Sequence, residues 1–166
     1  MNEMQTKFIH LAVVDQLKYS EIEEQLGIAT SVFAPWWEEF KEYREEISTI
    51  RRKYKSKVKE AFDRESFFKF YHWYKTKGSA CHYCHITQAE INDLFKADKI
   101  FTKRQNTRGK SLGIERLKPN LSYSDTDNLV SCCYWCNNAK TDEFSEEEFK
   151  PIGEAIRKVW LKRLNK

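Results

Sequence analysis

Two Cys-x-x-Cys pairs, Cys81/Cys84 in CHYC and Cys133/Cys136 in CYWC, constrain this 166-residue sequence more than any other feature. A knuckle of this spacing points two thiolates at one centre, and two knuckles complete the tetrahedral four-thiolate shell of a structural zinc ion. Free buried thiols or a redox pair are the competing readings, and the redox pair has only the bare spacing in its favour, since it also needs a low-pKa exposed thiol. Cys132 stands one residue out of register and reads as a small core residue. His82 and His85 flank the first knuckle and are expected to stay out of a shell that four cysteines already close.

With only 5 Gly and 3 Pro, and with 11 Phe and 5 Trp, the chain reads as helix-rich with enough apolar mass for a packed core. The fold class expected is α+β and mostly helical. Net charge is +4, which is compatible with nucleic acid, and its distribution says more than its sum. RRKYKSKVK at 51–59 carries no acid, Arg157, Lys158, Lys162, Arg163 and Lys166 crowd the last ten residues, and WWEEFKEYREE is acidic. No charged start leads into an apolar run, and nothing approaches the ~18 apolar residues of a membrane span. The expectation is therefore a cytoplasmic protein with no membrane partner, in a reducing compartment that favours metal over disulfide.

Residues 3–17 space Phe8, Leu11, Ala12, Val14 and Leu17 as one amphipathic helix. In YSEIEEQLGIATSVFAPWW, Ser20 is a candidate cap for a short helix, Gly27 suits the turn, and Thr30 or Ser31 can cap the next helix. Residues 18–43 resemble a helix-turn-helix, although Glu38, Glu39 and Glu42 would face phosphates if its second helix lay in a groove. Trp36 and Trp37 read as core or partner contacts, which makes a protein partner through the N-terminal helices a second possibility.

A basic connecting helix with Ile47, Ile50, Tyr54 and Val58 inward completes a helical region at 1–62. Asp63 is expected to cap an aromatic helix, DRESFFKFYHWYKTK, packed against the zinc unit, with His72 buried among its rings. The second region, 63–166, then contains Thr87 to Glu90 as a capping box. A basic arm with Lys103, Arg104, Arg108 and Lys110 follows, placed to hold phosphates. Next come a strand with Leu112 and Ile114 on one face and Glu115 on the other, a return strand at 128–132, and a helix from Cys133. Ser145 to Glu148 is a second capping box, and Pro151 is expected to restart or kink the last helix, whose Ile152, Ile156, Val159, Trp160 and Leu164 form a stripe.

The order Cys-x-x-Cys, strand ending in an acid, extended loop, Asn-Leu-Val, Cys-x-x-Cys-Asn and a Lys three residues on resembles zinc-braced HNH endonucleases over about 78–150. That resemblance implies a ββα-metal unit gripping one divalent ion, Mg2+ or similar, against a DNA phosphate. Glu115 then falls on the acidic metal ligand, Asn128 on the Asn that pins the hairpin loop, Asn137 on the helical metal ligand, and Lys140 on the closing basic residue. The choice of Asn137 over Asn138 rests on the resemblance.

The family's general-base His is replaced by Arg116, which stays protonated and cannot accept a proton, and none of the four histidines lies in the core motif. Arg116 can instead clamp a phosphate oxygen. The implied function is metal-dependent hydrolysis of DNA phosphodiesters; the alternative is a zinc module on the same fold, without chemistry, that binds DNA or a protein.

Overall fold

The computed structural model describes residues 1–100 and 108–165. The chain forms two compact units, Met1–Lys75 and Thr76–Lys166. The aromatic helix at 64–76 packs with the helices before it.

In the first unit, α1 (Glu3–Ile9) begins at a capping box in which Asn2 and Gln5 each satisfy the other's backbone N–H. The chain continues as a π-helical turn, His10–Val14, rather than as one α-helix to residue 17. The wider turn brings the adjacent Val13 and Val14 both into the core. Helix α2 (Tyr19–Leu26) has Lys18 as its cap, not Ser20, and closes at Gly27, whose φ of 65° is the left-handed conformation a glycine C-cap supplies.

A 3-10 turn at Thr30–Val32 leads into α3 (Phe33–Glu39), so neither Thr30 nor Ser31 caps that helix with its side chain. Phe8 stacks on Phe33 at 4.6 Å and also touches Trp36 and Trp37, while the Arg44 guanidinium lies 4.5 Å over Trp37. Both tryptophans thus serve the core of this unit. Helix α4 (Lys41–Lys57) buries Ile47, Ile50 and Tyr54, and Val58 follows at its C-cap, as the periodicity requires.

Asp63 accepts from the Ser66 N–H at 2.7 Å and starts α5 (Arg64–Thr76). Phe67 and Phe70 pack edge-on against Tyr54. That aromatic face therefore packs within the helical unit, and His72 is exposed.

The second unit is built around its cysteines. A bridge between Ala80 and Thr87 frames the first knuckle, with the Cys81 N–H donating to Ile86 O and the His85 N–H to Cys81 O. Thr87 and Glu90 form the expected capping box for α6 (Gln88–Lys96). Strands β1 (Gly113–Arg116) and β2 (Leu129–Cys132) pair antiparallel, with Glu115 opposite Val130 and Gly113 opposite Cys132.

The chain then turns into α7 (Tyr134–Lys140) and α8 (Glu146–Leu164). The Ser145–Glu148 capping box opens α8, and Pro151 sits inside the helix without ending it. Phe149, Gly153 and Trp160 are buried and Ile156 and Leu164 partly so, whereas Ile152 and Val159 of the expected stripe are exposed.

Gly153 is where α8 presses closest. A Cβ there would lie 2.8 Å from the Tyr83 carbonyl oxygen, inside the first knuckle. Across the same helix, Arg157 grips the buried Glu90 carboxylate with two hydrogen bonds of 2.8 and 3.2 Å, joining α8 to α6. The architecture is a mostly helical α+β fold whose small sheet carries the candidate site.

Candidate metal and catalytic site

Cys81 and Cys84 sit in the loop framed by the Ala80–Thr87 bridge; Cys133 caps α7 and accepts from the Cys136 N–H at 3.4 Å. The four sulfurs are buried and lie within 4.8 Å of one another, with Cys84 and Cys133 Sγ 3.6 Å apart. A tetrahedral Zn–S distance of about 2.3 Å requires sulfurs about 3.8 Å apart, so the cluster fits that ion.

Without a cation the thiols are set against one another. Hydrogen bonding with Cys132, then with Cys133, pushes Cys81 down, while hydrogen bonding with Cys133 pushes Cys136 up. A divalent metal removes the conflict by favouring all four thiolates. Cys132 stays outside this set and donates to the Cys133 carbonyl, a core cysteine as expected.

The knuckles fix the elements that carry the second group of residues. The His82 N–H donates to Ser131 O and the Ser131 hydroxyl to Gly78 O, which ties the first knuckle to β2. The second knuckle starts α7, which packs on β1. As a result Glu115 from β1 and Asn137 from α7 meet, the Asn137 amide donating to the Glu115 carboxylate.

Glu115 is only 5% exposed. Burial pushes its pKa up, against the opposing Arg116 N–H and the charges of Lys140 and Arg116. Asn138 is exposed and folds its amide back onto the Tyr134 carbonyl, so of the two asparagines it is Asn137 that reaches Glu115.

Asn128 is buried and pins the hairpin loop, accepting from the Lys118 N–H at 2.8 Å and donating to the Lys118 carbonyl at 3.0 Å. Arg116 is already engaged: it donates to Leu121 O at 3.1 Å, approaches Asp142 at 3.4 Å, and lies 4.6 Å over the Tyr123 ring. Lys140, expected as a nucleic-acid contact, is 0% exposed, and among the described residues its Nζ has no hydrogen-bond partner. Its stem lies in the packed end of α7, so the ammonium is withheld from any external phosphate. Arg108 and Lys110 are exposed as expected, and Lys103 and Arg104 lie outside the described residues.

No family model matches this chain, and no curated protein does. Among solved structures it is similar to the rare-cutting HNH restriction endonuclease PacI, studied for a mechanism of DNA perturbation, at 31% identity and a TM-score of 0.47. The chain resembles an HNH endonuclease. The likeness covers 58% of this chain and 65% of that one, so it spans about 65% of the length of the enzyme it matches.

Three features of the site escape the sequence. Gln88 clamps the entry to β1, donating to Lys110 O at 2.7 Å and accepting from the Leu112 N–H at 2.9 Å. Gly109, at φ 85°, packs under Trp135. Asp142, just beyond α7, holds Arg116. The N3-Glu of a capping box signals a helix start; no comparable signal marks Gln88 or Asp142, whose partners are distant in sequence.

Proposed function

We propose that residues 76–166 form a metal-dependent endonuclease module that hydrolyses phosphodiester bonds in DNA, with the four-cysteine cluster as structural zinc. The observation that carries this reading is the meeting of the Glu115 and Asn137 side chains on β1 and on the helix that the second cysteine knuckle starts. The carboxylate, together with an amide that presents its oxygen when turned about its last bond, is an oxygen donor set suited to a hard ion such as Mg2+. Such an ion supplies Lewis-acid polarisation of the phosphate and charge stabilisation at the leaving oxygen.

The chain's own groups do the rest. Glu115 and Asn137 hold the site, Asn128 fixes the loop between the strands, and the exposed Arg108 and Lys110 offer charge to the DNA backbone. The helical unit, with α2 and α3 joined by a turn at Gly27, is the helix-turn-helix-like part and a candidate surface for DNA or a protein.

The test is plasmid cleavage across Mg2+, Mn2+ and Ni2+ by the full zinc-loaded chain. Glu115→Gln and Asn137→Ala abolish cleavage at unchanged zinc content; undiminished cutting by both variants refutes the site. The second reading, a binding module without chemistry, draws on Arg116, which stands at the base position and turns its two terminal nitrogens to Leu121 and Asp142. Salt-sensitive DNA binding with no cleavage under any of the three ions favours it. Among the described residues no helix is long and apolar enough to cross a membrane.

A further inference from the structure

Arg116 leaves the proposed nuclease without an obvious proton acceptor. The charged and titratable groups that bear on Glu115 are Arg116, Lys140, Asp142, Tyr123, Tyr83 and Cys132, the last two buried in the core of this unit. Lys140 is a buried cation, burial pushes the Tyr123 phenol upward, and Glu115 itself is engaged with Asn137. Asp142 differs from all of these. Its side chain is 78% exposed, where water and a DNA strand can reach it, and its carboxylate faces an Arg116 Nη2 at 3.4 Å.

The backbone that delivers it is strained. Thr141 has φ 54° and ψ −157°, a region that essentially only glycine occupies and that is especially hostile to a β-branched residue. Strain of this kind costs about 1–3 kcal/mol and persists only where the surroundings impose it. Here the Thr141 hydroxyl donates to the Lys140 carbonyl at 2.6 Å and accepts from the Glu143 N–H at 3.3 Å, locking the reversal that turns Asp142 toward Arg116.

We infer that Asp142, oriented by Arg116, is the acceptor of the proton from the attacking water, taking the part that a histidine has in the resembling family. The inference rests on the nuclease reading above. The water oxygen forms a bond to phosphorus while one of its protons passes to the Asp142 carboxylate. The bond from phosphorus to the bridging sugar oxygen breaks, and that oxygen leaves with the electron pair and takes a proton from solvent. Asp142 returns its proton to solvent to complete the cycle. Arg116 is then a positioning residue, and its protonation is required rather than obstructive.

The experiment measures single-turnover cleavage of duplex DNA by the full zinc-loaded chain in Mg2+, together with DNA affinity and zinc content. Asp142→Asn lowers the rate by about 10²–10⁴-fold, the usual contribution of a general base, at unchanged DNA affinity. Asp142→Ala regains rate with added formate, and Glu115→Gln does not. In an Arg116→Met background the further loss from Asp142→Asn shrinks, because the two side chains act as one unit.

If Glu115→Gln is inactive and Asp142→Asn cuts within about threefold of wild type, well short of the loss expected of a base, the inference fails and the nuclease reading stands. Loss of Mg2+ affinity in Asp142→Ala without formate rescue makes Asp142 a metal ligand and also overturns it. A wild-type protein that does not cut overturns both.

Discussion

Gly153→Ala sets two effects of opposite sign against each other. Helix propensity alone favours alanine in the interior of α8 by about 0.8–1 kcal/mol. Against it, the new Cβ would lie 2.8 Å from Tyr83 O, 2.9 Å from Tyr83 Cβ and 3.0 Å from Tyr83 C, all well inside ordinary contact. Tyr83 cannot step aside cheaply. It stands between Cys81 and Cys84, its ring packs edge-on against Phe149 at 5.0 Å, and the surrounding loop is held by Cys81 N–H to Ile86 O.

Overpacking costs about 1–3 kcal/mol, and contacts with anchored backbone atoms put this site at the upper end. The net is a loss of about 2 kcal/mol, a fall of roughly 8–16 °C in Tm for a unit of this size. Because the strain enters the knuckle, apparent zinc affinity falls by up to about 30-fold where folding and binding are fully coupled. Calorimetry of the zinc-loaded protein and competition with a chromophoric chelator measure the two. A variant as stable as wild type, or more so, refutes the close approach of α8 to the zinc loop.

Two further substitutions test the site. Burial raises the Glu115 pKa, so the folded state holds that proton more tightly than the unfolded chain; stability is therefore greatest below the unfolded pKa and declines as pH rises through the folded one. Glu115→Gln thus stabilises the Mg2+-free protein at pH 7 relative to wild type, and denaturant melts should show that advantage vanishing on acidification. Asn128→Ala removes both hydrogen bonds to Lys118 in a buried position and costs about 1–3 kcal/mol by the same melts. A loss below about 0.5 kcal/mol would show that the loop does not depend on it.

Local signals in the sequence carried far into the structure. The cysteine spacing, both acid-containing capping boxes at Thr87 and Ser145, the Asp63 cap and the inward stripe of α4 all concern residues within a few positions of one another, where backbone geometry alone sets the outcome. The motif order likewise singled out Glu115 and Asn137, which do meet. The misses share a cause. His72 was placed by its aromatic neighbours in sequence and Lys140 by its position in the motif, and what covers a residue depends on elements the local pattern does not contain.

By itself, then, the sequence determined the four-thiol module, its helix starts and the residues available for chemistry, because each of these follows from spacing along one stretch of backbone. Only the tertiary structure decided that Lys140 lies buried without a hydrogen-bond partner among the described residues, that Arg116 faces Asp142, and that Gly153 must stay bare against Tyr83. Those outcomes depend on side chains 26 and 70 positions apart coming into contact, and no periodicity encodes which of many apolar and charged residues will be neighbours once the core closes.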